Sequence, residues 1–560
     1  MTDGMDRRSF VTTSALAAAA LVTPGSAQAH DAPMHDAPAN DADANTAQAP
    51  FAFDEATIAT LQAKMKAGTL TSRALTAAYL ARIEAIDRRG PTLRSVIEVN
   101  PDALGIAASL DAERRRGKVR GPLHGIPVLI KDNIDTGDRQ QTTAGSQALV
   151  GAPALRDAHV AERLRQAGAV ILGKTNLSEW ANFRSTRSTS GWSGRGGQTR
   201  NPYVLDRNPC GSSSGTGAAI AANLATVGIG TETDGSIICP SSLCGLVGIK
   251  PTVGLVSRSG IIPISVTQDT AGPMTRTVAD AAAVLTAIAG EDPRDAATQV
   301  GASRPRVDYT SFLDAKALAG ARIGVARNMA GFHPAVDDAF EQAIAALRAA
   351  GAVIVDPANV PTVGKTDDAE TEVLLYEFKD GINAYLASRG ESTRVRTLED
   401  LIAYNRAHAD TEMPWFGQEQ FEKAQAKGPL TESRYREALE TCRRLSRTEG
   451  IDAVLAQHNV EAIIAPSNGP SWPTDLVNGD RYTGGNTSVA AVAGYPSITV
   501  PMAFTGPLPL GLSFIGGAWT EGRLIALAYA FEQATKARRA PRFLPTVPYT
   551  RPANAGGAGR

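Results

Sequence analysis

Apolar positions recur at helical spacing from Phe53 through ATIATLQAKMKAG, and the pattern stops at Gly68; Thr71 or Ser72 is placed to cap a second helix, ALTAAYLARIEAIDR. Beyond them the period changes repeatedly. Residues 95–99 read as a strand, 103–116 as a helix, 126–131 as an apolar strand buried on both faces, 157–167 as a helix and 170–173 as a strand. A Gly/Ser-rich loop at 210–217 then opens a small-residue helix over 218–224, an apolar strand follows at 225–229, and a second turn runs from Thr231 to Ser236. After Ala271 the pattern TRTVADAAAVLTAIAG is an amphipathic helix, 321–325 reads as a strand, and 330–460 is helix-rich and charged. Strands return at 462–465, 497–501 and 510–514 before a last helix over 522–537. Such alternation predicts an α/β layer fold with a mostly parallel or mixed sheet, and with no repeat or second boundary in the pattern, 51–548 reads as one domain.

The ends of the chain do not share this pattern. Asp6-Arg7-Arg8-Ser9-Phe10-Val11 is a twin-arginine motif, 15–22 is an apolar run too short to span a bilayer, and Ala27-Gln28-Ala29 is a cleavage site of the A-x-A kind. Residues 1–29 therefore read as a signal peptide for export of the folded chain by the twin-arginine route, with the mature periplasmic or secreted protein starting at His30. Residues 30–50, with a repeated HDAP and almost nothing to bury, read as a disordered linker, and 549–560 as a flexible tail.

Composition changes the picture little. With 43% hydrophobic and 20% charged residues and a formal net charge of −1, the chain is an ordinary globular protein, and nothing in its charge calls for nucleic acid or an anionic membrane as partner. Four cysteines, at 210, 239, 244 and 442, fit small buried positions without demanding disulfides; Cys239 and Cys244 do not have the spacing of a metal site.

Candidate chemistry lies in the two serine-bearing turns, 24 positions apart at Ser212 and Ser236. Turns at element ends are where a rigid scaffold holds reactive groups. Serine is a weak nucleophile without a base. The best base is Lys131, 81 positions before Ser212, at the end of the apolar run of PVLIKDNID, where burial favours the neutral amine that a lysine base requires. Lys174, a second lysine at a strand end, reads as structural, and the aromatics Tyr376, Tyr385, Trp415 and Phe416 read as core rather than pocket lining.

These residues carry a family resemblance. Lys131 in PVLIKDNID, GSSSGTGAA around Ser212, TETDGSI ending at Ser236, GLVGIKPTVGLVSRSGIIPIS, GKTNLSEWANF, AGYPSITVPMAF and LIALAYAFEQAT together resemble the amidase signature family of serine hydrolases over roughly residues 54 to 548. The resemblance implies one domain with a central twisted mixed β-sheet covered by helices on both faces. It also implies Ser236 as nucleophile, Ser212 as a bridging serine on a cis peptide, Lys131 as base, and the backbone N–H groups of Thr233, Asp234, Gly235 and Ser236 as an oxyanion hole. One departure stands out: where the family commonly has T-D-x-G-G-S, Glu232 replaces the Asp and Asp234 the first Gly. The T-E-T-D-G-S form, with SGWSGRGGQTRNPY, is most similar to the peptide amidase branch, which acts on C-terminal amides of peptides.

Other readings of the same residues fit less well. An esterase with Ser213 as nucleophile satisfies G-x-S-x-G but needs a strand before it, where Pro202 and Pro209 stand, and a catalytic histidine, for which His333, His408 and His458 offer no context. A phosphate-binding loop needs Gly-Lys-Ser/Thr where Thr216-Gly217-Ala218 follows. Helix capping accounts for one serine but not for Ser236 or Lys131. The amidase subunit of tRNA-dependent amidotransferases shares the motifs, but its tRNA substrate is cytosolic, against the export signal. The expectation is an amidase converting linear carboxamides, with peptide C-terminal amides as the first choice, to carboxylate and ammonia without metal or organic cofactor; aryl, aliphatic and fatty-acyl amides are the alternatives. Replacing Arg7 and Arg8 with lysine is expected to leave uncleaved precursor in the cytoplasm; periplasmic protein that still begins at His30 by N-terminal sequencing would refute twin-arginine export.

Overall fold

The computed structural model describes residues 51–300 and 307–548; the signal peptide, linker and tail read at 1–29, 30–50 and 549–560 lie outside the described residues. One eleven-stranded mixed sheet organises the rest. Its strands are β1 (Val96–Val99), β2 (Pro127–Lys131), β3 (Val170–Thr175), β4 (Val227–Glu232), β5 (Val247–Lys250), β6 (Thr270–Thr275), β7 (Arg322–Val325), β8 (Val353–Val355), β9 (Ala462–Pro466), β10 (Ser497–Thr505) and β11 (Leu508–Ile515). They lie in the order β1-β3-β2-β4-β6-β5-β10-β11-β9-β7-β8. The triplet β3-β2-β4 is parallel, as is β9-β7-β8, and the strands between run antiparallel. β1 closes one edge antiparallel to β3.

Every residue of β2, β3 and β4 is buried, as continuous apolar runs in a parallel segment require when helices cover the sheet. The helices flank it as expected. Helix Glu521–Thr535 packs on β10 and against helices Val278–Ile288 and Pro334–Ala349, while helices Ser214–Ala221 and Ile238–Leu243 pack on each other and on the central strands. Thr71 caps helix Ser72–Arg82 by accepting from Ala74 N, and Thr57 caps Ile58–Lys66 in the same way.

Two differences from the sequence pattern bear on the site. The small-residue helix begins at Ser214, earlier than its periodicity indicates, so the glycines read as loop form its first turn. Gly215 is there for contact rather than flexibility: a Cβ would lie 2.4 Å from the carbonyl oxygens of both Asn176 and Ser95. Strands β5, β6 and β8 have no matching signal in the sequence pattern, because glycine, threonine and Pro273 dilute the first two and the third is a three-residue edge inside the helix-rich 330–460 segment. Tyr376, Tyr385 and Phe416 are buried as core, whereas Trp415 is exposed. Among the described residues no helix is long and apolar enough to cross a membrane.

Phe514 on β11 is fully buried and meets Phe531 of the last helix with ring centroids 6.0 Å apart. Phe514→Ala is expected to cost about 3–5 kcal/mol, read as a lower denaturant midpoint; an unchanged midpoint would contradict this packing.

Candidate active site

Lys131 ends β2, between β3 and β4, and its side chain is wholly buried. Its Nζ lies 2.7 Å from Ser212 Oγ, 2.9 Å from Thr231 Oγ1 and 3.2 Å from Thr231 O. Loss of hydration lowers the pKa to about 7, against the opposing pull of the Asp269 and Glu232 carboxylates. At pH 7 about half of the amine is therefore unprotonated, and in that form Ser212 can donate its hydroxyl proton to it. Lys174, by contrast, donates to Ile134 O at 2.5 Å and Thr142 Oγ1 at 2.9 Å, a buried structural role.

Ser212 follows a cis peptide bond with Gly211, in the loop before helix Ser214–Ala221. Ser236 follows β4 and precedes helix Ile238–Leu243. The two turns meet: Ser213 N donates to Ser236 O at 3.2 Å, and a disulfide joins Cys210 to Cys239, with Cα atoms 5.9 Å apart. Cysteine spacing alone does not reveal this pair. The signal is positional, since Cys210 stands two residues before Ser212 and Cys239 three after Ser236. Ser236 Oγ makes no hydrogen bond among the described residues. Ser213, the nucleophile of the esterase reading, is fully buried with its hydroxyl bonded to Thr231 O and N, and the segment before it is not a strand.

The turn from Thr233 to Ser236 is held at both ends by carboxylates. Glu232 accepts from Ile237 N at 2.7 Å and Ile238 N at 2.9 Å, so the longer side chain that departs from the family pattern caps the next helix. Asp269 accepts from the Thr233 hydroxyl at 2.6 Å and from Ile264 N and Ser265 N at 2.8 and 2.9 Å; burial pushes its pKa up to about 6 despite these bonds. Within the turn, the N–H groups of Thr233, Asp234, Gly235 and Ser236 meet no protein acceptor among the described residues, which leaves four donors at one place. Only Gly235 has positive φ there, at +77°, so the family's second glycine is the one the backbone needs and Asp234 is accommodated without strain. Asp234 accepts from Ser488 Oγ at 2.5 Å, and burial raises its pKa.

A narrow cavity of about 10 Å³ borders Ser212, and its lining adds Asn133, Arg258 and Asp269, none of which the sequence motifs singled out as site residues. Arg258 is engaged by Asp295, whose two oxygens lie 2.5 and 2.7 Å from the guanidinium. Asn133 Nδ2 donates to Thr231 Oγ1 at 3.0 Å, which orders the lysine's second partner. The 330–460 segment contributes no residue to this lining. Its helix Asp367–Ser388 works one layer back, with Glu370 receiving Gln268 and Glu377 receiving Ser265 and Thr267.

An amidase family model matches residues 74–525. The chain belongs to the amidase signature family. It is accordingly an amide-hydrolysing enzyme. A probable amidase of Arabidopsis thaliana is 44% identical over 503 residues, covering 88% of this chain and 93% of the relative. A peptide amidase of Stenotrophomonas maltophilia superposes with a TM-score of 0.85 at 54% identity, over 88% of this chain and 100% of that one. A structure of the peptide amidase PAM with the competitive inhibitor chymostatin gives 0.86 at 55%, covering 88% and 99%.

In this amidase a Cβ at Gly235 would strain the left-handed backbone and stand 2.9 Å from Thr487 Oγ1. Gly235→Ala is expected to slow amide hydrolysis by on the order of 100-fold with circular dichroism unchanged; full activity would show that the turn's shape is dispensable.

Proposed function

We propose that the amidase works through Ser236, Ser212 and Lys131 and that its substrates are peptides ending in a carboxamide. The observation that carries the mechanism is the 2.7 Å contact between Ser212 Oγ and a fully buried Lys131 whose pKa lies at about 7. With substrate bound, Ser236 Oγ attacks the carbonyl carbon and passes its proton to Ser212, which passes its own to neutral Lys131. The N–H groups of Thr233, Asp234, Gly235 and Ser236 hold the oxyanion. Lysinium then returns the proton through Ser212 to the leaving nitrogen, ammonia departs, and an ester on Ser236 remains. Water attacks that ester by the same relay, giving carboxylate and free serine.

Support for the substrate class comes from the two peptide amidase structures, at 54% and 55% identity, one of them bound to chymostatin. Ammonia release from a panel of peptide, aryl, short-chain and long-chain amides tests it; rapid turnover of long-chain amides alone would refute the peptide reading. The enzyme would act outside the cytoplasm, consistent with the twin-arginine motif at Arg7 and Arg8.

Ser236→Ala is expected to abolish turnover. Ser212→Ala and Lys131→Ala should each be severely impaired, and the double variant little worse, because residues acting as one relay are not additive. Ser213→Ala should keep measurable activity. Since the base is the unprotonated amine, kcat/KM should rise with pH through about 7 and level off above it; a limb that falls over that range would sink the lysine assignment, as would a phosphonate adduct on Ser213 with Ser236 unlabelled.

A further inference from the structure

We propose that the protein carries a second binding site, for a small amphiphilic carboxylate, in the cavity beside the turn between β10 and β11. That cavity has a volume of about 800 Å³, the size of a site for one small molecule. Its lining shares no residue with the cavity beside Ser212, although its Trp472 wall packs against Cys210 and Cys239. β4 and β11 run in the same direction, since three antiparallel strands and four antiparallel pairings link them, so the turn at Gly506 and Pro507 lies at the opposite end of the sheet from Lys131 and Glu232.

The walls combine two chemistries. Trp472, Phe504 and Leu544 supply an apolar surface. Arg481, Arg539 and Arg542 stand exposed on the same walls, and none of the lining residues is acidic. Some of this protein's arginines are held between carboxylates, as Arg165 is by Asp138 and Asp157 and Arg327 by Glu341 and Asp356, while others on the surface, Arg115 and Arg187 among them, are not; what sets this place apart is that three such arginines meet on the walls of one cavity. Among the described residues no carboxylate comes within ion-pair distance of Arg481, Arg539 or Arg542. A fourth lining arginine, Arg207, is 3.2 Å from Asp206. The acid behind Trp472 points away from the task, because Asp480 accepts from Ser190 N, Asn208 Nδ2 and the Trp472 indole N–H. Arg539 stacks 4.7 Å from the Phe504 ring centre, which places a guanidinium beside an apolar surface.

Guanidinium groups hold carboxylates through paired N–H donors, and an aromatic wall holds an apolar body. Charge complementarity thus selects a ligand with one anionic end and an apolar remainder. It disfavours the chain's own 549–560 segment, which carries Arg551 and Arg560 and no acidic side chain.

The test is a fluorescence anisotropy titration of the full-length protein with 1-pyrenebutyrate and its neutral counterpart 1-pyrenebutanol. One carboxylate probe per chain is expected, bound about 10-fold or more tightly than the alcohol. The exposed pair Arg481→Ala and Arg542→Ala should weaken the carboxylate by about 10-fold, leave the alcohol unchanged and leave amide hydrolysis intact. Equal affinity for both probes, or indifference to the arginine changes, would overturn the proposal. Displacement of 1-pyrenebutyrate by an amide substrate would put the probe in the active site, and binding only after residues 549–560 are removed would make the tail the occupant. Retention on anionic phospholipid vesicles without binding of the free probe would assign the surface to membranes. Each of these three results also refutes the site, whether or not the Ser236 mechanism stands.

Discussion

A lysine amine with no exposure to water sets the terms for everything around it. Lys131 is dry because β2 lies between two parallel neighbours whose residues are all buried, and a charged ammonium there would lose its hydration without a carboxylate in contact. The structure meets this by letting the amine be neutral near pH 7 and by surrounding it with hydroxyl and carbonyl oxygens from Ser212 and Thr231. Asp269 and Glu232 act at longer range in the opposite direction. The balance leaves the amine able both to take and to return a proton, which a relay requires and which a salt-bridged lysine could not do.

The second requirement is that two turns distant in sequence be held against each other. Two bonds do this, the Ser213–Ser236 backbone bond and the Cys210–Cys239 disulfide, while the Glu232 cap and the Asp269 bond to Thr233 hold the second turn in shape. The carboxylates are buried on backbone N–H and hydroxyl donors rather than in direct contact with an arginine, so they fix the geometry of the turn. Among the described residues the N–H groups of residues 233–236 are left without protein acceptors, a local disadvantage for folding that neighbouring bonds offset and that the proposed oxyanion-binding role would explain.

Outside this shell the helices of the 330–460 segment brace the loops that carry the site. Tyr385 donates to Asp135 at 2.8 Å, Arg389 lies 3.0 Å from the same carboxylate, and Ser146 donates to Glu412.

What the sequence alone determined is what short-range chemistry encodes. The apolar run ending at Lys131, the Gly/Ser turn at Ser212, the turn ending at Ser236 and the alternation of strand and helix were all legible, because period and turn composition are local properties. Tertiary structure decided the rest. β5 and β6 acquire their strand character from pairing with neighbours rather than from their own apolar content. Cys210 and Cys239 become partners only when the two turns meet, and Asp269 and Asn133, far from both serines in sequence, reach the site only through the sheet that places β6 beside β4 and the loop after β2 beside Thr231. Burial, which fixes the charge state of Lys131, is likewise a property of the assembled sheet: a lysine at the end of an apolar run has its ordinary affinity for protons until β3 and β4 exclude water from it.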